Sequence, residues 1–154
     1  MKYANLIKIT VFSYEHENSE AITDALLRLL PFNIEDNKIT LKRSTATGFN
    51  QKRIGVLEIT LTKPSLINQF LKDLLNNLDK NQQKEILSQA ESRLDKDLNF
   101  FLRFDKGQWL NEKKLLLTDS GKCFHIKNSI AAFPKKREVA LSVVRNLFSQ
   151  NEIH

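Results

Sequence analysis

The sequence predicts an α+β fold, a mainly antiparallel sheet with amphipathic helices packed on one face, in a single domain over residues 1–154. Three observations predict it. Segments with apolar residues at every second position follow one another through short connections, as antiparallel strands do. Segments with apolar residues at three- and four-residue spacing lie between them, each bounded by a capping or breaking residue. No stretch rich in proline and glycine divides the 154 residues, a length that buries roughly 70% of the unfolded surface in one core.

Residues 6–14, LIKITVFSY, are apolar and β-branched with Lys8 and Thr10 on one parity, which makes a strand. Asn18 or Ser19 then caps a helix whose Ile22, Ala25, Leu26, Leu29 and Leu30 share a face, and Pro31 ends it. In residues 38–45, KITLKRST, Ile39 and Leu41 point inward and Lys38, Thr40 and Lys42 outward. Residues 55–62 alternate again through Leu57, Ile59 and Leu61, after a loop, ATGFNQKRI, that carries Gly48, Asn50, Lys52 and Arg53. Pro64 suits the first turn of a second helix, with Ile67, Phe70, Leu71, Leu74, Leu75 and Leu78 as its stripe. Asp79 followed by Gln82 reads as a capping box. It opens a more polar helix that buries Ile86, Leu87, Ala90 and Leu94. A strand around Phe100–Asp105 follows. Residues 113–133 read as a hairpin turning at Asp119, Ser120 and Gly121. Pro134 precedes a last helix with Val139, Ala140, Val143, Val144, Leu147 and Phe148 inward, and residues 150–154 are expected to fray.

Several function classes are disfavoured. Hydrophobic residues at 41% and charged residues at 27% are ordinary for a soluble globular protein. One cysteine, Cys123, forbids an intrachain disulfide and suits a reducing, cytoplasmic setting. The N-terminal apolar run is short and broken by Lys8, unlike a signal peptide. No segment approaches the roughly 18 apolar residues of a membrane span, so no membrane partner is expected. His16, His125 and His154 are far apart, and no pair has metal-ligand spacing. Cys123 and His125 share a strand face, yet no orienting acid or oxyanion site accompanies them. Asp95 and Asp97 read as water-facing acids at a helix end. Four glycines form no phosphate-cradling loop. The expectation is no enzyme, no cofactor and no metal.

The net charge is +6, which favours an anionic partner. The cations fall in clusters: Lys42 and Arg43; Lys52 and Arg53; Arg103 and Lys106; Lys113 and Lys114; Lys135, Lys136 and Arg137. Placed at element ends, they can meet along one rim as a phosphate track. Three cations at a helix start oppose the helix dipole by some tenths of a kcal/mol each, and a phosphate there would reverse the mismatch. The stretch FFLRFDKGQW, residues 100–109, sharpens the question. Leu102 and Phe104 point one way; Phe101, Arg103 and Asp105 point the other. Either Asp105 orients the Arg103 guanidinium beside an aromatic surface, as in single-stranded RNA binders, or the two form an exposed ion pair of little value.

Three blocks in order, ATGFNQKRIGVLEITL, LRFDKGQWL and FPKKREVALSVVRNLF, resemble an archaeal family of predicted exosome-associated RNA-binding proteins. The family pattern runs A-x-G-H-Y-G-N-P-I, then R-L-D-K-Q-A-A, then Pro-x-x-Arg-Glu. Ala46, Gly48 and Ile54 match the first block, Arg103, Asp105 and Lys106 the second, and Pro134, Arg137 and Glu138 the third. Phe49 to Arg53 and Gly107 to Trp109 depart from it. The resemblance spans residues 5–150. It implies an α+β fold like that of a ribosomal large-subunit protein, RNA binding without catalysis, and association with exosome subunits. The expected function is therefore a non-catalytic RNA-binding protein, an accessory of the RNA exosome or of ribosomal RNA metabolism. Its phosphate contacts are Lys42, Arg43, Lys52, Arg53, Arg103, Lys106, Lys113, Lys114, Lys135, Lys136 and Arg137. Phe49 and Trp109 are the stacking residues, and Asp105 is the buttress. The alternative is a protein-interaction adaptor or a homodimeric structural protein without RNA affinity.

Overall fold

The computed structural model describes residues 2–48 and 52–149. Phe49 and the tail 150–154, expected to stack and to fray respectively, lie outside the described residues. The strands are β1 (Ala4–Ser13), β2 (Leu41–Thr47), β3 (Arg53–Leu61), β4 (Asn99–Asp105) and β5 (Cys123–Ile130). They form one open antiparallel sheet in the order β2-β3-β1-β5-β4. The helices are α1 (Ser19–Arg28), α2 (Pro64–Asn76), α3 (Lys80–Ser88), the short α4 (Ala90–Arg93) and α5 (Arg137–Phe148).

The chain gathers into two compact units. The first takes residues up to 7, 61–102 and from 127 onward. It holds the apolar stripes of α2, α3 and α5, with Phe70, Ile86, Val144 and Phe148 fully buried. Phe100 of β4 meets Phe148 with ring centroids 5.8 Å apart. The Asp79 carboxylate caps α3 by accepting the Gln82 N–H at 2.8 Å, the bond that the Asp79–Gln82 spacing in the sequence implies. The third helix is shorter than its apolar spacing implies. It breaks at Gln89, and Leu87 is only half-buried.

The second unit takes residues 8–60 and 103–126. Here α1 starts as its residues dictate: Asn18 Oδ1 accepts the N–H groups of Glu20 and Ala21 at 3.1 and 3.2 Å. Its Ile22, Ala25 and Leu26 are buried with Ile9, Val11, Leu57, Ile59, Phe104 and Phe124. Along β1 the opposite parity, Lys8, Thr10 and Phe12, stays toward solvent.

Two expectations change. β2 begins at Leu41, because residues 34–39 close a turn: the Ile39 N–H donates to Ile34 O at 2.8 Å and Lys38 takes a φ of 56°. Ile39 and Leu41 are half-buried rather than inward, and residues 42–47 are all exposed, since β2 is an edge strand. Residues 113–133 do not form a hairpin. Leu116 to Thr118 lie along the outer side of β4, with Asp105 N–H donating to Leu116 O at 2.8 Å and Thr118 N–H to Arg103 O at 3.0 Å. Leu115–Leu117 is a run without alternation, so it forms a single bridge to β4 rather than a strand. The turn at 119–121 is kept. Thr118 Oγ1 accepts the Ser120 N–H and Ser120 Oγ the Lys122 N–H, both at 3.1 Å.

The stretch 100–109 also resolves. The strand ends at Asp105, whose Oδ1 accepts the Gln108 N–H at 2.9 Å and opens a π-helical turn, Gln108–Glu112. Asp105 is thus a cap, and no Arg103–Asp105 ion pair forms among the described residues. Asp105→Ala should lower the unfolding free energy by about 1 kcal/mol in a urea titration, the usual cost of a lost cap.

Candidate nucleic-acid interface

In the second unit the solvent side of the sheet carries the candidate surface. Thr10 and Phe12 of β1, Arg103 of β4, and Cys123 and His125 of β5 line a shallow hollow of about 310 Å³ beside Gly121. Phe12 is 40% exposed, high for a phenyl ring. Arg103 is exposed and its Nη1 reaches Asp119 O at 3.4 Å, which leaves most of the guanidinium fork available. Cys123 and His125 share this face as their spacing predicts. Burial pushes the Cys123 thiol above its ordinary range, against the pull of the Arg103 and Lys106 charges. A thiol held protonated is a poor nucleophile. Among the described residues no group of three metal-ligating side chains gathers, and no helix is long and apolar enough to cross a membrane.

Farther along the same face, Lys8 Nζ lies 3.8 Å from Glu58 Oε1. Glu58 is directly opposite Lys42 in the β2–β3 register. Glu58 therefore sits between two lysines and offsets part of their charge. Arg43, one residue on, points to the other face, where its Nη1 donates to Thr23 Oγ1 of α1 at 3.3 Å. Lys52 and Arg53 are exposed where β3 begins, and Lys113 and Lys114 are exposed after the π-helical turn.

Two predicted contacts are corrected. Lys106 is not a phosphate contact. It is buried, and its Nζ donates to Phe12 O at 2.8 Å and to Glu17 Oε1 and Oε2 at 2.9 and 3.2 Å. The ammonium also lies 5.0 Å from the Tyr14 ring centroid. Trp109 is not a stacking platform. It is 7% exposed, its indole N–H donates to Ala25 O at 2.8 Å, and the Arg28 guanidinium covers its ring at 4.7 Å. Arg28 also donates to Trp109 O. A large ring with one polar atom is buried when that atom finds a partner, and α1 supplies it.

Beside the ion pair lies a hollow of about 620 Å³, lined by Tyr14, His16, Glu17, Lys106, Asn111 and Lys122 among others. Burial alone would raise the Glu17 carboxyl. The Lys106 hydrogen bond, the Tyr14 N–H and the charges of Lys106 and His16 outweigh it and hold the carboxyl below its ordinary range.

The remaining cluster belongs to the first unit. Lys135 and Lys136 are exposed. Arg137 donates to Leu94 O at 3.0 Å and to Glu91 O at 2.6 Å, so its fork is engaged on one carbonyl of α4 and on that of the residue that ends it. Sequence reasoning missed Phe12 and Glu17. Phe12 could have been found, since it shares the polar parity of Lys8 and Thr10.

Comparison with known proteins points one way. A family described as RNA binding matches residues 6–130. The RNA-binding protein PAB1135 of Pyrococcus abyssi is 28% identical over 143 residues, 92% of each chain. The crystal structure of protein AF2318 from Archaeglobus fulgidus is similar at 29% identity and a TM-score of 0.83, covering 94% of this chain and 99% of that one. Mth689 from Methanothermobacter thermautotrophicus is 26% identical with a TM-score of 0.76, covering 95% and 98%.

The ion pair makes an asymmetric prediction. Removing Glu17 strands an ammonium whose side chain is 6% exposed, whereas removing Lys106 leaves a carboxylate that is 23% exposed and reachable by water. Glu17→Ala should cost about 3 kcal/mol and Lys106→Met less, both read from urea midpoints. The Glu17 carboxyl titrates lower folded than unfolded, so its stabilisation is full above the unfolded pKa and is lost as pH falls through the folded value. The urea midpoint should drop from about pH 4.3 downward, and Glu17→Gln should flatten that drop; Asp95, also held low by hydrogen bonds against its burial, supplies the part that stays. Trp109→Phe leaves Ala25 O without its donor and should cost about 2 kcal/mol, measured the same way.

Proposed function

Because the chain belongs to the RNA-binding family whose model spans residues 6–130, we propose that it is a non-catalytic protein that holds RNA by phosphate contacts and ring stacking, with weak sequence preference. The observation that carries the reading is the pairing of Phe12 and Arg103 on the uncovered side of the sheet. An accessible ring takes the face of a base, and an arginine fork takes the neighbouring phosphate or stacks in turn. Lys42 extends the same face. Lys52, Arg53, Lys113 and Lys114 add exposed cations in the same unit. Lys135 and Lys136 form a separate basic loop in the other unit, and Arg43 and Arg137 offer only the parts of their forks not already hydrogen-bonded.

The resemblance of the three sequence blocks implies a narrower role, as a cytoplasmic accessory of the RNA exosome or of ribosomal RNA metabolism. Co-purification of exosome subunits with the tagged chain, resistant to nuclease, is the measurement for it.

Filter binding of the purified chain to a single-stranded RNA at several salt concentrations tests the main reading. Contact by about five cations gives a slope near −4 in log affinity against log salt. No RNA retained at moderate salt would point instead to a protein-interaction adaptor. Arg103→Glu with Phe12→Ala should weaken binding by at least about tenfold without moving the thermal midpoint. An unchanged affinity would take the sheet face out of the site.

A further inference from the structure

The sheet face does not use the most exposed apolar ring among the described residues. Phe133 is 96% exposed. A phenyl ring left wholly in water on a folded chain calls for an occupant, and here it is not displayed by a loose end. The segment is fastened on both sides within the first unit. Ala131 N–H donates to Tyr3 O at 2.9 Å, and Lys136 N–H folds back onto Pro134 O at 2.8 Å. The Arg137 guanidinium clamps the carbonyls of Leu94 and Glu91. Between these ties the loop presents Phe133, Lys135 and Lys136 to solvent. Neither lysine ammonium has a hydrogen bond or ion pair among the described residues. Glu138, two residues past Lys136, is exposed and forms no ion pair with either lysine among the described residues, and Glu91 turns its carboxylate to Arg145 at 3.8 Å.

We infer that the Phe133–Lys136 loop is a second RNA contact, selective for an unpaired base. The phenyl ring stacks on the face of that base, and Lys135 and Lys136 take the adjoining phosphates. This rests on the RNA-binding reading above and narrows it to a class of ligand. The selectivity follows from where base faces are available. An A-form duplex hides them between neighbouring pairs, whereas loops, bulges and single strands leave them open to a ring. The charge argues for nucleic acid over an apolar protein pocket. Burying Phe133 in such a pocket would desolvate two ammonium groups beside it without a partner, while a strand of RNA supplies an anion next to every base.

The test uses the full chain and two RNAs of equal length, one single-stranded and one fully paired. Phe133→Ala should reduce affinity for the single strand by about tenfold, the effect of one lost base–aromatic stack, and leave duplex affinity unchanged. Phe133→Trp should keep single-strand affinity. A 2-aminopurine in the single strand should be quenched by the wild type and less by Phe133→Ala. The side chain is exposed, so an unchanged thermal midpoint is expected for both variants. Wild-type binding to the single strand with no loss in Phe133→Ala overturns the inference and makes a protein the occupant of the ring. An equal loss on both RNAs overturns the selectivity. No binding of either RNA by the wild type overturns the family-based reading itself, and this inference with it.

Discussion

The buried contact between Lys106 and Glu17 governs the arrangement of the second unit. Lys106 stands one residue past β4, and it donates both to the Glu17 carboxylate and to the Phe12 carbonyl near the end of β1. An ammonium removed from water must find acceptors, and these are the ones within its reach. The contact fixes the backbone at Phe12, so the phenyl ring follows the β1 alternation toward solvent. Beside it the Asp105 cap turns the chain, and the π-helical turn it opens delivers Trp109 to α1. What looked in the sequence like one continuous aromatic and basic stretch is therefore divided. Arg103 serves the outer face of the sheet, Leu102 and Phe104 are buried, and the residues from Lys106 to Trp109 hold the second unit together. Such a pair adds little net stability over an apolar substitute, but it permits few alternative packings.

This division marks how far the sequence could be read. The side of each strand was legible at β1 and β3, because a period of two leaves no other arrangement for Ile9, Val11, Leu57 and Ile59 once a core exists. The stripes of α2 and α5, the Asn18 cap and the Asp79 cap were legible because they are local. The fate of Lys106 was not, because its partner Glu17 is 89 positions away and a lysine next to an aspartate reads as surface. Trp109 failed for a related reason. A tryptophan near cations is ambiguous until the Ala25 carbonyl is known to face it. The false hairpin at 113–133 came from counting apolar residues without parity. Leu115, Leu116 and Leu117 cannot all face a core from a strand, and only Leu115 is buried.

Charge was the weakest guide to individual residues. A net charge of +6 says nothing of which cations are already engaged. Arg43 and Arg137 donate to a hydroxyl and to carbonyls at a helix end, as the guanidinium fork readily does. Lys42 faces Glu58 across the ladder, and Lys106 is neutralised outright. Arg103, with one long contact to Asp119 O, and the lysines of the 113–114 and 135–136 segments retain their charge for a ligand.

In the proposed function two kinds of contact do different work. Each phosphate taken by a lysine or arginine releases counterions, so those contacts set how steeply affinity falls with salt. A base stacked on Phe12 or Phe133 releases none, so its contribution shifts affinity at every salt concentration alike. Neither kind reads a base edge. Every base has a π-face and every nucleotide a phosphate, so a surface built of exposed phenyl rings and exposed cations discriminates by whether a base is accessible rather than by which base it is. A weak sequence preference, as proposed, would have the same physical origin that makes Phe12 and Phe133 conspicuous: apolar rings held out of the core, with cationic side chains in the same segments or on the same face.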